Sequence, residues 1–252
     1  MFKRLYAFVK KRYDISIVIP TYKNTKFLEE CIRSVIRSAN KCSNFEILLG
    51  IDNCQDTLKL ISISNIFSNK YIKLYFFSKN VGPYIIRNTL TQKATYENIL
   101  FFDSDDIMME NTIETLLEKI QDIEIVKFKF YNFYDEKDYK DIENLQISSI
   151  FAHGLFLIKK NKFLSMNGFF GWKFAADAEF EERCVGNNHS VLRLDVPLFY
   201  RRYHGYNLTR RPDTGVGSQS RDEYGTIILN RRSLKDWKDP EKIQVFNPNL
   251  VC

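Results

Sequence analysis

Ile99, Leu100, Phe101 and Phe102 run directly into Asp103, Ser104, Asp105 and Asp106. Four large apolar residues between polar flanks fit a short strand buried on both faces, the kind found in parallel sheets covered by helices. Three carboxylates within four residues of its end then converge at one point. Open α/β sheets bind ligands beyond the carboxyl ends of their strands, so Asp103 and Asp105, on either side of a small serine, are placed to hold a hard cation against a diphosphate. Asp and Ser are also common turn residues, so a solvated acidic loop is the alternative.

The order of the flanking segments supports the sheet. Ile15 to Pro20 is a β-branched run stopped by proline, hence a first strand. The helix after it, capped by Asn24 or Thr25, aligns Phe27, Leu28, Cys31, Ile32, Val35, Ile36 and Ala39 on one face. Phe45 to Ile51 forms a second buried strand ending in Asp52 and Asn53, Thr57 to Ile66 a helix, and Tyr71 to Phe77 a third strand. Asn80 to Pro83 is a turn, Tyr84 to Lys93 a helix, and Asn111 with Glu114 a capping-box variant opening the next helix. Strand and helix alternate up to Glu124, which predicts a mostly parallel sheet with helices on both faces. Beyond it, Glu124 to Tyr134 reads as a strand, Asp135 to Glu143 as a charged loop, and Ile147 to Ile158 as a segment able to pair back.

The 252 residues are enough for one large core, and the 44% hydrophobic content fits a single α/β domain. The five cysteines contain no CxxC pair and the three histidines no zinc-ligand spacing, so the cysteines read as reduced core thiols. No run of about 18 apolar residues is present, and Met1 to Lys11 is too basic for a secretory signal. A cytoplasmic location is therefore expected, and the sequons at Asn188 and Asn207 read as chance. Residues 1–13 carry Lys3, Arg4, Lys10, Lys11 and Arg12 without an acid, with apolar residues at helical spacing. Such a helix docks on its own domain or makes a peripheral contact with an anionic membrane. No nucleic-acid signature accompanies the net charge of +6, and no nucleic-acid partner is expected.

Four features fall at strand ends: Pro20-Thr21-Tyr22, Asp52-Asn53, Asn80-Val-Gly with Arg87 following, and Asp103-Ser-Asp-Asp. In this order the chain resembles the family 2 glycosyltransferases over about residues 15 to 204. The resemblance implies a GT-A fold, Rossmann-like and mostly parallel, with a smaller acceptor-side β segment and a DxD motif. It implies an inverting transfer from a nucleotide-diphosphate sugar, UDP-linked by preference, to a hydroxyl of a glycan or glycolipid. Pro20, Thr21 and Tyr22 border the base in this reading, Asp52 accepts a hydrogen bond from it, and Arg87 sits near base or phosphate. Asp103 and Ser104 lie on the donor, and Asp105 binds Mn²⁺ or Mg²⁺.

For the acceptor side, the resemblance points to Ala175-Ala-Asp-Ala-Glu, where family members carry Glu-Asp. Asp177 matches the base, the preceding acid is missing, and Glu179 is a rival. Two residues along a helix turn by about 200°, so the two cannot serve one pocket. Asp177 shares a face with Phe180, Glu181 and Cys184, and the helix dipole favours negative charge there. Trp172 offers a platform for an acceptor sugar. His204 matches a position that supplies a histidine to the metal, with His153 as competitor. Arg201, Arg202, Arg210 and Arg211 are suited to a diphosphate, with a solvated basic edge as the alternative.

Residues 1–205 are expected to form the catalytic domain and 206–252 an extension, a lid over the donor site or a static tail packed through Ile227, Ile228, Leu229 and Trp237. A nucleotidyltransferase acting on sugar phosphates is one alternative, although it calls for a Gly-rich loop where this chain has Thr21-Tyr-Lys-Asn. A non-catalytic glycan-binding protein on a transferase fold is the other.

Overall fold

A computed structural model describes residues 14–134, 145–205 and 207–251. The basic segment 1–13 and the charged loop Asp135 to Glu143 lie outside the described residues. The first half alternates as its periodicity predicts: β1 (Asp14–Thr21), α1 (Leu28–Ala39), β2 (Asn44–Asp52), α2 (Gln55–Ile63), β3 (Ile72–Phe77), α3 (Pro83–Lys93) and β4 (Asn98–Phe101). A two-residue β5 (Ile107–Met108) and α4 (Thr112–Lys119) follow. The second half comprises β6 (Ile125–Tyr134), β7 (Phe156–Lys159), α5 (Lys160–Ser165), α6 (Ala176–Gly186), β8 (Val191–Tyr203), α7 (Gln219–Leu234) and β9 (Asn249–Leu250).

The strands form one sheet in the order β5-β8-β6-β7-β4-β1-β2-β3-β9. The block β4-β1-β2-β3 is parallel throughout, and β6 and β8 are parallel to each other. β7 joins these two blocks by running antiparallel to β4 and β6, and β9 adds antiparallel to β3. The chain leaves β1 toward β2 and β3, then returns to place β4 on the other side of β1. That reversal is the crevice where α/β sheets bind ligands, and it lies between Thr21 and Asp103.

Side-chain alternation divides the core into two layers. Ile15, Ile17 and Ile19 of β1 face α1 and α4, packing with Leu28, Ile32, Val35, Ile113 and Leu116. Val18 faces the opposite layer with Ile86 and Leu90 of α3, Phe163 of α5 and Phe180 of α6. Phe101, Phe156, Phe163, Phe169 and Phe180 form a continuous ring cluster under α6, with centroids 5.0–6.1 Å apart. This cluster fixes the height of α6 above the end of β4.

Three local expectations are corrected. Helix α1 opens after Phe27 with no side-chain cap, so neither Asn24 nor Thr25 caps it. Asn111 precedes α4 but makes no side-chain cap, because its φ of −93° and ψ of 2° depart from the extended geometry a cap requires. Its intended partner Glu114 is held instead by Lys41 at 2.6 Å. The helix expected to run to Ile66 stops at Ile63 and gives way to a short 3₁₀ turn over Asn65–Ser68.

The described part of 207–251 packs on the same sheet and helices. Arg232 of α7 binds Glu182 of α6 at 3.0 Å, and the Gln244 carbonyl accepts from Asn88 Nδ2 at 3.0 Å. Of the four apolar contacts expected for a tail, Ile228 is buried and Trp237 lies against Gly186, while Ile227 and Leu229 are exposed.

Candidate active site

The loop after β4 sorts its three acids by direction. Asp106 turns inward, where Oδ1 accepts the Arg202 backbone N–H at 2.9 Å and ties the loop to β8. Burial pushes its pKa well above the carboxylate range, and Asp105 and Asp103 add to the rise against that N–H. Asp103 and Asp105 face the crevice. Ser104 is buried, and its carbonyl and Oγ accept from Asn24 Nδ2 at 2.7 and 3.1 Å. Asn24 Oδ1 in turn accepts the Phe27 N–H at 3.3 Å, so this residue joins the turn before α1 to the acidic loop.

Asp105 Oδ2 lies 2.9 Å from His204 Nε2 and accepts from Asn207 Nδ2 at 3.0 Å. His204 is therefore at the acidic loop. Its competitor His153 is not, since its Nδ1 lies 2.9 Å from Glu181 Oε2 in a separate cluster with Lys127 and Arg193.

Asp103 Oδ1 accepts from Arg87 Nη2 at 2.5 Å. Desolvation at the foot of the crevice raises the pKa of Asp103, Arg87 lowers it, and Asp105 and Asp177 raise it. The influence of Asp177 brings α6 into the same electrostatic field. Gly154 makes the link geometric, because a Cβ there would lie 3.0 Å from Asp177 Oδ2 and 3.1 Å from Arg87 Nη1. Asp177 stands in the first turn of α6, directly after Ala175 and Ala176, and Ala175 has a left-handed φ of 65°. An L-residue in that region costs about 1–2 kcal/mol, so the backbone that aims Asp177 is held by its surroundings.

Glu179 is corrected from possible base to structural ion. It is 1% exposed, and its carboxylate accepts Arg183 Nε at 3.0 and 3.3 Å, with Arg231 at 3.4 Å. Arg183 also donates to the carbonyls of Met166 and Gly168. The 3.6-residue helical period turns Glu179 into this network and leaves Asp177 on the crevice side.

At the end of β1, Pro20 is buried, Thr21 is 2% exposed with its Oγ1 unpartnered, and Tyr22 is open to solvent. Asp52 is engaged with the backbone of the turn that follows β3. Its two oxygens accept the backbone N–H groups of Val81 and Gly82 at 2.7 and 3.0 Å, which shapes the turn before α3. Gly82 has a φ of +83°, a conformation that glycine adopts without penalty.

Trp172 is half-buried in an aromatic ladder, 5.3 Å from Phe170 and 4.8 Å from Tyr224 of α7. Among the arginines, Arg201 lowers the pKa of both Asp103 and Asp106. Arg202 is corrected from a diphosphate arm to a buried brace: it pairs with Glu30, donates to the Asp105 carbonyl at 3.0 Å, and stacks on Phe27 and Phe133. Arg211 pairs with Asp213, and Arg210 lies over Tyr203.

Asn24, Tyr84, Gly154 and Asn207 escaped the sequence reading as site residues. Asn24 carried the signal of a helix cap and Asn207 that of a sequon, whereas Tyr84 and Gly154 carried none, since their partners lie far along the chain.

Residues 16–180 match the family model described as glycosyl transferase family 2. The chain belongs to this family. A Rickettsia conorii glycosyltransferase is 37% identical over 109 residues, 43% of this chain and 17% of that protein. Glycosyltransferase GlyG of Streptococcus pneumoniae is 32% identical over 108 residues, 43% of this chain and 35% of GlyG. The chain thus spans about a third or less of these relatives. Residues 1–349 of Staphylococcus aureus TarS, solved with UDP-GlcNAc, superpose with a TM-score of 0.63 at 19% identity, covering 76% of this chain and 59% of that one. A curated TarS is named a poly(ribitol-phosphate) beta-N-acetylglucosaminyltransferase. The structural likeness identifies the GT-A fold.

Proposed function

We propose that this chain is a metal-dependent, inverting glycosyltransferase that moves a sugar from a UDP-linked donor to a hydroxyl of a glycan or glycoconjugate. The observation that carries this reading is the joining of Asp103, Arg87 and Asp177 in one crevice at the switch point of the sheet, with Asp105 and His204 beside them. One carboxylate pair thus faces the place for a diphosphate, and a separate carboxylate faces the place for an acceptor. The UDP-GlcNAc complex of TarS and the polymer in its name support the donor and acceptor classes.

The residues present suit a hard cation. Asp105 Oδ2 and His204 Nε2 stand 2.9 Å apart, so one carboxylate oxygen and one imidazole nitrogen would be at hand to hold it. Among the described residues no group of three His, Cys, Asp or Glu is arranged to hold a metal, so Asp105 and His204 would hold it only together with the donor. When bound, Mn²⁺ or Mg²⁺ neutralises charge on the leaving diphosphate.

In the transfer, Asp177 Oδ2 takes the proton from the acceptor hydroxyl as its oxygen bonds to the anomeric carbon. The bond from that carbon to the diphosphate breaks, and its electron pair leaves with UDP. Attack opposite the leaving group inverts the centre. Arg87 orients Asp103 on the donor. Thr21 and Tyr22 border the base, and Asp52 acts there through the Val81–Gly82 turn. Trp172 and Tyr224 offer aromatic faces to the acceptor. Residues 1–205 are the catalytic domain in this reading, with 206–252 an extension on the same domain that brings Asn207 to Asp105.

The test is release of UDP from UDP-GlcNAc and UDP-glucose by the full chain, with manganese and with chelator. Metal-dependent release of UDP from one of them is expected. Metal-independent turnover would remove the cation, and binding without any turnover would favour a non-catalytic glycan-binding protein.

A further inference from the structure

Tyr84 lies in the first turn of α3, 6% exposed, with its ring 5.3 Å from Phe169 and the Arg87 guanidinium 5.8 Å from its ring centre. Its hydroxyl donates to Asp177 Oδ1 of α6 at 2.7 Å. Oδ1 also accepts the Ala178 backbone N–H at 3.0 Å. Two donors thus hold one oxygen of the carboxylate. The other, Oδ2, points to the gap that Gly154 leaves open, where a side chain would come within 3.0 Å of it. Burial raises the tyrosine pKa well above its usual value, and the neighbouring Asp177 raises it further, so the hydroxyl stays protonated and remains a donor.

We propose that Tyr84 is a positioning residue for Asp177, its hydroxyl fixing Oδ1 so that Oδ2 alone is presented to an acceptor. This rests on the reading of Asp177 as the base. A carboxylate in the first turn of a helix turns about its side-chain bonds unless something holds it, and a misplacement of about 1 Å can cost on the order of 10²-fold in rate. The charged groups around Asp177 are Arg87 of α3, Asp103 after β4 and Lys127 of β6. None of these replaces the Tyr84 hydroxyl at Oδ1. The hydroxyl neither touches substrate nor takes part in bond making, so its loss should lower turnover and leave donor binding alone.

The test is a double-mutant cycle on the full chain, reading UDP release from UDP-GlcNAc with manganese. Tyr84→Phe keeps the ring in its apolar seat and removes only the hydroxyl. It should lower kcat on the order of 10-fold, the scale of one hydrogen bond to a charged group, with KM for UDP-GlcNAc within about 2-fold. In an Asp177→Asn background the same change should cost nothing further, because its effect passes through Asp177. A purely structural tyrosine would instead lower both backgrounds equally, and that result, or a change confined to KM, overturns the proposal. A second measurement does not depend on turnover. Proton NMR of the wild type should show a slowly exchanging tyrosine hydroxyl resonance that is absent in Tyr84→Phe and displaced in Asp177→Asn. Its absence from the wild type overturns the contact, whereas its presence in a chain that releases no UDP leaves the contact standing and defeats the proposed reaction.

Discussion

Replacing Glu179 with leucine separates structure from catalysis in α6. The side chain is similar in size, so the loss is electrostatic. Arg183, wholly buried, would lose the carboxylate partner on its own helix, and Arg231 a contact. Removing one member of a buried ion pair costs about 3–5 kcal/mol. Arg183 keeps Asp239 and the carbonyls of Met166 and Gly168, which places the loss near the lower end, about 3 kcal/mol. For a chain of this size that is a fall of roughly 6–12 °C in Tm, at 2–4 °C per kcal/mol. The assay is thermal unfolding of Glu179→Leu beside UDP release measured well below its Tm. A large fall in Tm with most turnover kept is expected. An unchanged Tm with turnover abolished would make Glu179 the base and refute the assignment of Asp177.

Asp177→Asn should keep the wild-type Tm, since the amide oxygen still accepts from Tyr84 and Ala178, and lower turnover by about 10²–10⁴-fold with UDP binding unchanged; equal loss of UDP binding would contradict it. Glu46 sits 4% exposed, where burial raises its pKa but Lys73, Ser16 and the Thr95 N–H outweigh it and hold the carboxyl below its usual range. Its stabilisation is therefore present above about pH 4.3 and is lost as pH falls through its folded pKa. Glu46→Gln should be less stable at pH 7 and show a shallower loss of stability on acidification, read by urea unfolding at pH 7 and pH 3. Cleavage between Arg210 and Arg221 by trypsin should slow when UDP and manganese are added together, if 207–217 closes over the crevice; equal rates would leave this segment a static part of the domain.

Much of the fold was legible because its elements carry strong periodic signals. The β-branched run ending at Pro20, the apolar face of α1 and the apolar strand before Asp103 each determine local structure through burial alone. The strand carrying the acids then placed Asp103 and Asp105 without further information. What the chain beyond Glu124 does was harder to read, because β7 and β9 join the sheet antiparallel and no short-range pattern encodes their partners. The role of Glu179 followed from helical geometry only in part: the period shows that it faces away from Asp177, but not that Arg183 and Arg231 await it. Asp52 and Arg202 show the same limit: no short-range pattern tells that one meets the Val81 and Gly82 N–H groups and the other Glu30 and the Asp105 carbonyl, all distant in sequence.

The metal-assisted donor site is tested most directly by calorimetric titration of UDP into the wild type and into Asp105→Ala, each with manganese and with EDTA. Asp105 lies beyond its strand and outside the core, so the variant should fold normally. We expect wild-type affinity for UDP to rise with manganese, and Asp105→Ala to bind UDP weakly and equally in both conditions. Manganese-enhanced binding of UDP by Asp105→Ala, at the wild-type affinity, would contradict the assignment of Asp105.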